Sequence, residues 1–117
     1  MELPKLTDSQ EQLTRLLESK DILRLLILQI RKDFETAGVP IKLLLSKKYR
    51  FDELIEALVD CLSSKSSSQL SNLLYRVDVS EKQLQEAMPT PGLDLRLFSE
   101  VIIKRELQKV VLRRIYS

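Results

Sequence analysis

The segment that decides the fold is residues 21–37, which read DILRLLILQIRKDFETA. Its large apolar residues recur at intervals of three and four, so they share one face of a helix: Leu23, Leu26, Ile27, Ile30 and Phe34. Because Ile22, Leu25 and Leu28 point away from that face, the predicted helix is apolar around most of its circumference. Such a helix either lies at the centre of a fold or is covered by a second subunit.

The chain before and after this segment carries weaker helix signals. Residues 1–7 are predicted to be a short tail, followed by a short helix that begins at a capping box opened by Thr7 or Asp8. Residues 41–50 are compatible with a short helix, which we favour, and with an extended piece. Asp52 is the expected N-cap of the next amphipathic helix, which runs to about residue 62.

Three features divide the second half of the chain. A serine-rich stretch, residues 63–68, is predicted to be a loop, because Ser hydroxyls compete for the backbone groups of a helix interior. A helix from Ser68 to about Arg76 follows, and Ser80 opens a capping box for another short helix. Residues 89–92, Pro-Thr-Pro-Gly, form the clearest connector in the chain.

Residues 98–116 carry the longest continuous helical pattern. One side of this helix contains the apolar residues Phe98, Val101, Ile102, Leu112 and Tyr116. A second stripe lies well round from it and contains Ile103, Leu107 and Val110. Residues 93–97 alternate like a strand, so their state stays open. The patterns together predict a compact, single-domain, all-α bundle of five or six helices, with a long C-terminal helix and two packing partners for that helix.

The composition removes most catalytic chemistry. The chain has 117 residues with no His, one Cys and two Gly. Without imidazole there is no His-based triad, general base or His-containing zinc site, and two distant glycines exclude Gly-rich phosphate loops. Glu53, Glu56 and Asp60 share a helix face, which we interpret as solvated. The sequence therefore predicts no enzyme, no catalytic residue, no metal and no cofactor.

The single cysteine, Cys61, is predicted to pack as a small hydrophobe. It follows an apolar stripe near the end of a helix, where a thiolate is not stabilised. One Cys cannot form an internal disulfide, and no signal peptide or membrane-spanning run is visible. We therefore expect a soluble, cytoplasmic protein that does not bind membranes.

Residues 69–87 resemble a helix-turn-helix. Val79 and Ser80 open the second helix of the motif, and Leu84 is placed to pack back on the first helix. Two positions depart from the family pattern, because Leu74 stands where a small residue is usual and Asp78 where the turn usually has Gly. The resemblance implies DNA binding through the second helix, although that helix carries two Glu and one Lys.

The net charge of +2 conceals a basic C-terminal quarter. Residues 93–117 contain six basic and three acidic side chains. The candidate basic patch consists of Lys104, Arg105, Lys109, Arg113 and Arg114. These side chains could bind RNA, an acidic protein or anionic lipid, but the solvated rim of a packed helix explains them better.

The excess apolar surface leads to the functional prediction. A small bundle has room for few helices that are apolar on more than one face, so we expect a non-enzymatic interaction or adaptor protein that forms a homodimer. The candidate interface is the stripe of Ile103, Leu107 and Val110; a different protein partner remains an alternative to a second copy. The alternative function is a nucleic-acid-associated regulator that uses residues 69–87 or the basic C-terminal helix.

Overall fold

A computed structural model describes residues 4–5, 9–87 and 92–116. Within these ranges the chain forms six helices and no strand, which confirms the predicted all-α bundle. The helices are α1 (Gln10–Leu17), α2 (Lys20–Thr36), α3 (Phe51–Leu62), α4 (Ser67–Val77), α5 (Glu81–Ala87) and α6 (Leu95–Tyr116). None of them is both long and apolar enough to cross a membrane, since the longest, α6, is charged along its length.

Reciprocal capping boxes fix the starts of three helices. The predicted box at Ser80 is confirmed, because the Ser80 hydroxyl accepts from the backbone N–H of Gln83 at 3.1 Å. The predicted cap at Thr7 or Asp8 is wrong, since α1 is capped by Ser9, and most of the 1–7 tail lies outside the described residues. Ser66 caps α4, so the serine loop spans only residues 63–66.

The favoured helix over residues 41–50 is not formed. Gly38, with a φ of +80°, ends α2. The segment that follows is fixed by individual buried side chains and not by the apolar face of a helix. Leu43 and Tyr49 are buried, and the Tyr49 hydroxyl accepts from the backbone N–H of Leu44 at 3.0 Å. Of the three consecutive leucines at positions 43–45, only Leu43 therefore packs in the core, while Leu44 and Leu45 stay exposed.

Two helix starts differ from the prediction. Helix α3 begins one residue before Asp52, and its N-cap is Arg50, whose backbone N–H donates to the Glu53 carboxylate at 2.9 Å. Residues 95–97 belong to α6, because the Asp94 carboxylate accepts from the backbone N–H groups of Arg96 and Leu97. The strand alternative for residues 93–97 is thereby excluded. Most of the 89–92 connector lies outside the described residues.

Helix α6 is the central element of the bundle. It packs against α2, α3, α4 and α5, and most of its side chains between Phe98 and Val111 are buried on every side. Its predicted first stripe divides, since Phe98, Val101 and Ile102 are buried whereas Leu112 and Tyr116 are exposed. The chain's own helices therefore cover most of the apolar surface that the sequence left unassigned.

Candidate functional site

The predicted interface stripe lies in the interior of the chain. Ile103 and Leu107 are 0% exposed and Val110 is 2% exposed. Because the surrounding helices already cover these side chains, a second copy cannot reach them while the chain keeps this fold. The assignment of the stripe as an interface is therefore corrected to core packing.

The predicted basic patch is dispersed by ion pairs within the chain. The Lys104 ammonium is almost fully buried and lies 2.9 Å from the Glu100 carboxylate, one turn earlier in α6. The Arg105 guanidinium donates to the Asp78 carboxylate at 3.1 Å and to its carbonyl oxygen at 3.0 Å. Arg105 therefore joins α6 to the turn after α4, whereas Lys104 is paired within α6 itself.

The other three basic residues have different surroundings. Lys109 points into the junction of α2, α4 and α6, where it contacts acidic side chains. Arg114 pairs with Asp21 at the start of α2, and Arg113 is exposed. The structure therefore brings no continuous basic surface together from these five positions.

A buried polar cluster joins α2, α4 and α6. The Asp33 carboxylate accepts hydrogen bonds from Gln29 at 3.0 Å and from the Lys109 ammonium at 2.7 Å. The same ammonium lies 2.9 Å from Glu106, and the Arg76 guanidinium of α4 lies 3.6 Å from Asp33. Asp33 is 3% exposed and Glu106 is fully buried. We call Gln29, Asp33, Arg76, Glu106 and Lys109 the junction cluster.

The two carboxyl groups of the junction cluster have opposite pKa shifts. Burial, followed by hydrogen bonding to Asp33, raises the pKa of Glu106 to about 8, against the attraction of Lys109. Burial alone would raise the pKa of Asp33, but hydrogen bonds from Glu106, Lys109 and Gln29 outweigh it and lower that pKa. At neutral pH the pair therefore carries one shared proton, located mainly on Glu106.

The sequence contained a signal for this cluster that helix periodicity alone did not interpret. Asp33 comes three residues after Ile30 and seven after Leu26, which places it on the buried face of α2. Glu106 comes four residues after Ile102 and four before Val110, again on a buried face of the helix. A charged residue at a core-facing position is uncommon unless it is paired, so each position indicated a partner.

The segment that resembles a helix-turn-helix does consist of two helices and a three-residue turn. Asp78 adopts the left-handed conformation, with φ 70° and ψ 52°, at the position where the motif usually has Gly. Helix α5 packs against α6, and its exposed charged side chains are Glu81, Lys82 and Glu86. The chain path is therefore that of a helix-turn-helix. The exposed charges of α5, two acidic and one basic, do not favour binding to the phosphate backbone of DNA.

The three carboxylates of α3 that share a helix face have separate surroundings. Glu53 accepts from the backbone of Arg50, Glu56 pairs with Arg96 of α6, and Asp60 is exposed. No group of three potential ligands that could hold a metal ion occurs in the described ranges.

Cys61 is half-buried rather than fully buried. Its sulfur lies 3.6 Å from the carbonyl oxygen of Pro40 and 3.8 Å from that of Val39. Burial raises the pKa of the thiol, against the attraction of Lys65. The thiol therefore contributes to packing between α3 and the chain after α2, and its environment does not activate it as a nucleophile.

The end of α6 carries an exposed apolar surface. Leu112 is 42%, Ile115 44% and Tyr116 80% exposed, and their spacing places them on one side of the helix. Lys109 and Arg113 line a shallow cleft together with Leu112 and Tyr116. We call Leu112, Ile115 and Tyr116 the α6-end surface. With the predicted stripe placed in the core, this surface is a candidate docking site.

Comparison with known proteins gives no match, since no family model fits the sequence and no curated protein or solved structure is significantly similar to it.

Proposed function

We propose that the protein is a non-enzymatic helical interaction protein that associates with a second copy of itself through the α6-end surface. The supporting observation is that α6, mostly buried between Phe98 and Val111, continues as a helix whose next residues expose three large apolar side chains. Clustered apolar residues, with Tyr among them, are typical of protein–protein interfaces.

The distribution of charge on α6 favours a second copy as the partner. Arg114 lies on the other side of the helix from the α6-end surface and already pairs with Asp21. Lys109, at the edge of the surface, is neutralised by the junction cluster. Arg113 also lines the cleft, but it is exposed and its guanidinium can stay in solvent at the rim. Two α6 ends can therefore pack across a twofold axis without burying these cations against one another.

The size of the α6-end surface determines how tightly we expect two copies to associate. A stable interface buries about 800 Å² on each partner, which is far more than three partly exposed side chains supply. We therefore expect a weak, concentration-dependent dimer rather than an obligate one.

Sedimentation equilibrium tests the proposed dimer over protein concentrations from about 1 μM to about 1 mM. We expect the average mass to rise toward that of a dimer, and Leu112→Asp to keep it at the monomer value, because the variant loses apolar contact area and a carboxylate must be desolvated to enter the interface. Leu44→Asp is the matched control, since Leu44 is an exposed leucine in the loop before α3. A monomer mass throughout, or equal loss of dimer in both variants, contradicts the proposal.

One observation favours the alternative of a nucleic-acid-associated regulator, namely the helix–turn–helix path of α4 and α5. The exposed side chains of α5 and the ion-paired basic residues of α6 weigh against it. Gel retardation of duplex DNA at about 50 mM salt decides the point, because phosphate contacts are still strong at that ionic strength. Retardation that disappears as salt increases supports the alternative; no retardation eliminates it.

A further inference from the structure

The starting observation is the packing of Glu106. Its side chain is fully buried, and neither carboxyl oxygen has a hydrogen-bond partner of acceptable geometry when the group is treated as an acceptor. The Lys109 ammonium lies 2.9 Å from one oxygen, but it also lies 2.7 Å from Asp33. One ammonium group is therefore shared between two buried carboxyl groups.

The charged groups around Glu106 come from α2, from α4 and from α6 itself. Helix α2 supplies Asp33, α6 supplies Lys109, and α4 supplies Arg76, which reaches Asp33 from the far side. The charged side chains of the two remaining neighbours lie at the surface or pair elsewhere: Asp52, Glu53, Glu56 and Asp60 on α3, and Glu81, Lys82 and Glu86 on α5. The cation next to Glu106 is therefore one that Asp33 already engages.

We infer that the junction cluster is a proton-dependent latch, which holds α4 and α6 against α2 while Glu106 carries a proton and loosens this junction when the proton is lost.

The physical reason is the number of charges that the junction must hold. With a proton, Glu106 donates a hydrogen bond to Asp33, and the remaining carboxylate forms an ion pair with Lys109. Without the proton, two carboxylates face each other out of water with one ammonium between them, and the second negative charge is only partly compensated. Opening the junction to water relieves this cost.

The latch connects to α4 through Lys109. The ammonium that lies between Asp33 and Glu106 also lies 3.4 Å from the carbonyl oxygen of Val77, the last residue of α4. Movement of Lys109 therefore removes a contact at the end of α4 and loosens its attachment to α2 and α6. This inference does not depend on the proposed dimer.

Amide hydrogen exchange at pH 5.5, 7 and 8.5, corrected for the intrinsic exchange rates, tests the latch on the intact chain. We expect opening of the α4 amides near Val77 to increase with pH, by up to tenfold per unit, until Glu106 is ionised in the closed state near pH 8. Glu106→Gln should abolish this dependence, because Gln is uncharged at every pH. Glu100→Gln is the matched control, since Glu100 is also a glutamate of α6 paired with a lysine at 2.9 Å.

Two results would overturn the latch. One is protection of the α4 amides that does not change with pH in the unmodified chain, and the other is the same pH dependence in Glu106→Gln and in the unmodified chain. If Glu106→Gln does not fold, carbon-detected NMR titration of the Glu106 carboxyl group in the unmodified chain still decides the question. A titration midpoint near 8 supports the latch, and a midpoint near the ordinary value of 4.5 contradicts it.

Discussion

Asp78 shows how a single residue sets the course of the chain between α4 and α5. It is the non-glycine residue with a positive φ in the described ranges. Its backbone N–H donates to the carbonyl oxygen of Leu74 at 2.9 Å and closes α4, while its carboxylate and carbonyl both accept from Arg105. Asp is one of the few residues that occupy this conformation at modest cost, so the turn forms without Gly.

The cost of this backbone conformation can be measured by comparing two substitutions at Asp78. Both Asp78→Gly and Asp78→Ala remove the ion pair with Arg105, so that loss cancels in the comparison. We expect the Ala variant to be less stable than the Gly variant by about 1 kcal/mol in urea unfolding, because Ala strains the left-handed conformation and Gly does not. Equal stabilities would show that the turn relaxes to a different conformation.

Helix α6 illustrates what helix periodicity could and could not predict. The spacing of its apolar residues predicted a long helix with two stripes; the helix is found, the second stripe is buried, and the first is buried as far as Ile102 but exposed at Leu112 and Tyr116. The same pattern fitted a central helix and a dimer interface equally well, because periodicity identifies the faces of a helix and not what covers them. The structure decides the point for Leu107 and Val110, which are enclosed by the chain's own helices.

The features that sequence reasoning missed depend on contacts between residues that are distant in the chain. Asp33 and Glu106 each lie on a buried helix face, but nothing in the local pattern indicates that they face one another. Similarly, Leu43 to Leu45 read as a helical turn, whereas only Leu43 reaches the core and Tyr49 fixes the loop from the other end. Helices with strong periodicity were therefore predictable, and the polar junction between them was not.

The central position of α6 predicts the effect of truncating its second stripe. Leu107→Ala leaves a cavity at a site that is 0% exposed, so we expect a loss of about 2–5 kcal/mol in the free energy of unfolding. Leu112→Ala, on the same helix but exposed, should cost much less than this. Both values can be measured by urea unfolding at one low protein concentration. A Leu107 variant that keeps full stability but no longer dimerises would restore the stripe as an interface.

At the scale of the whole molecule, several of the opposite charges that nearly cancel in the net charge are paired with one another between helices. Arg96 and Arg105 join the start and the middle of α6 to Glu56 of α3 and to Asp78 after α4. Lys109 is held inside the junction cluster. Much of the basic excess of α6 therefore forms ion pairs inside the bundle, and the surface that we propose for a partner is the apolar α6-end surface.

The two shifted carboxyl groups of the junction cluster predict how global stability varies with pH. The pKa of Asp33 is lower in the folded chain than its ordinary 3.8, so its contribution is present above that value and is lost as the pH falls through the lowered pKa. The pKa of Glu106 is raised from 4.5 to about 8, so the folded chain binds more protons than the unfolded chain across this range. Stability should therefore decrease as the pH rises from 4.5 to 8, by at most about 1.4 kcal/mol per unit, and then level off.

From these two groups we expect a stability maximum near pH 4 to 5, below the range of about pH 5 to 8 where most proteins are most stable. Urea unfolding followed by circular dichroism from pH 3 to pH 9 measures this profile. Glu106→Gln should remove the alkaline decline, because its side chain does not ionise, whereas Glu100→Gln should retain it. A profile that stays flat from pH 4.5 to pH 8 in the unmodified chain would mean that Glu106 ionises at its ordinary pKa despite its burial, and that the junction admits water in the native state.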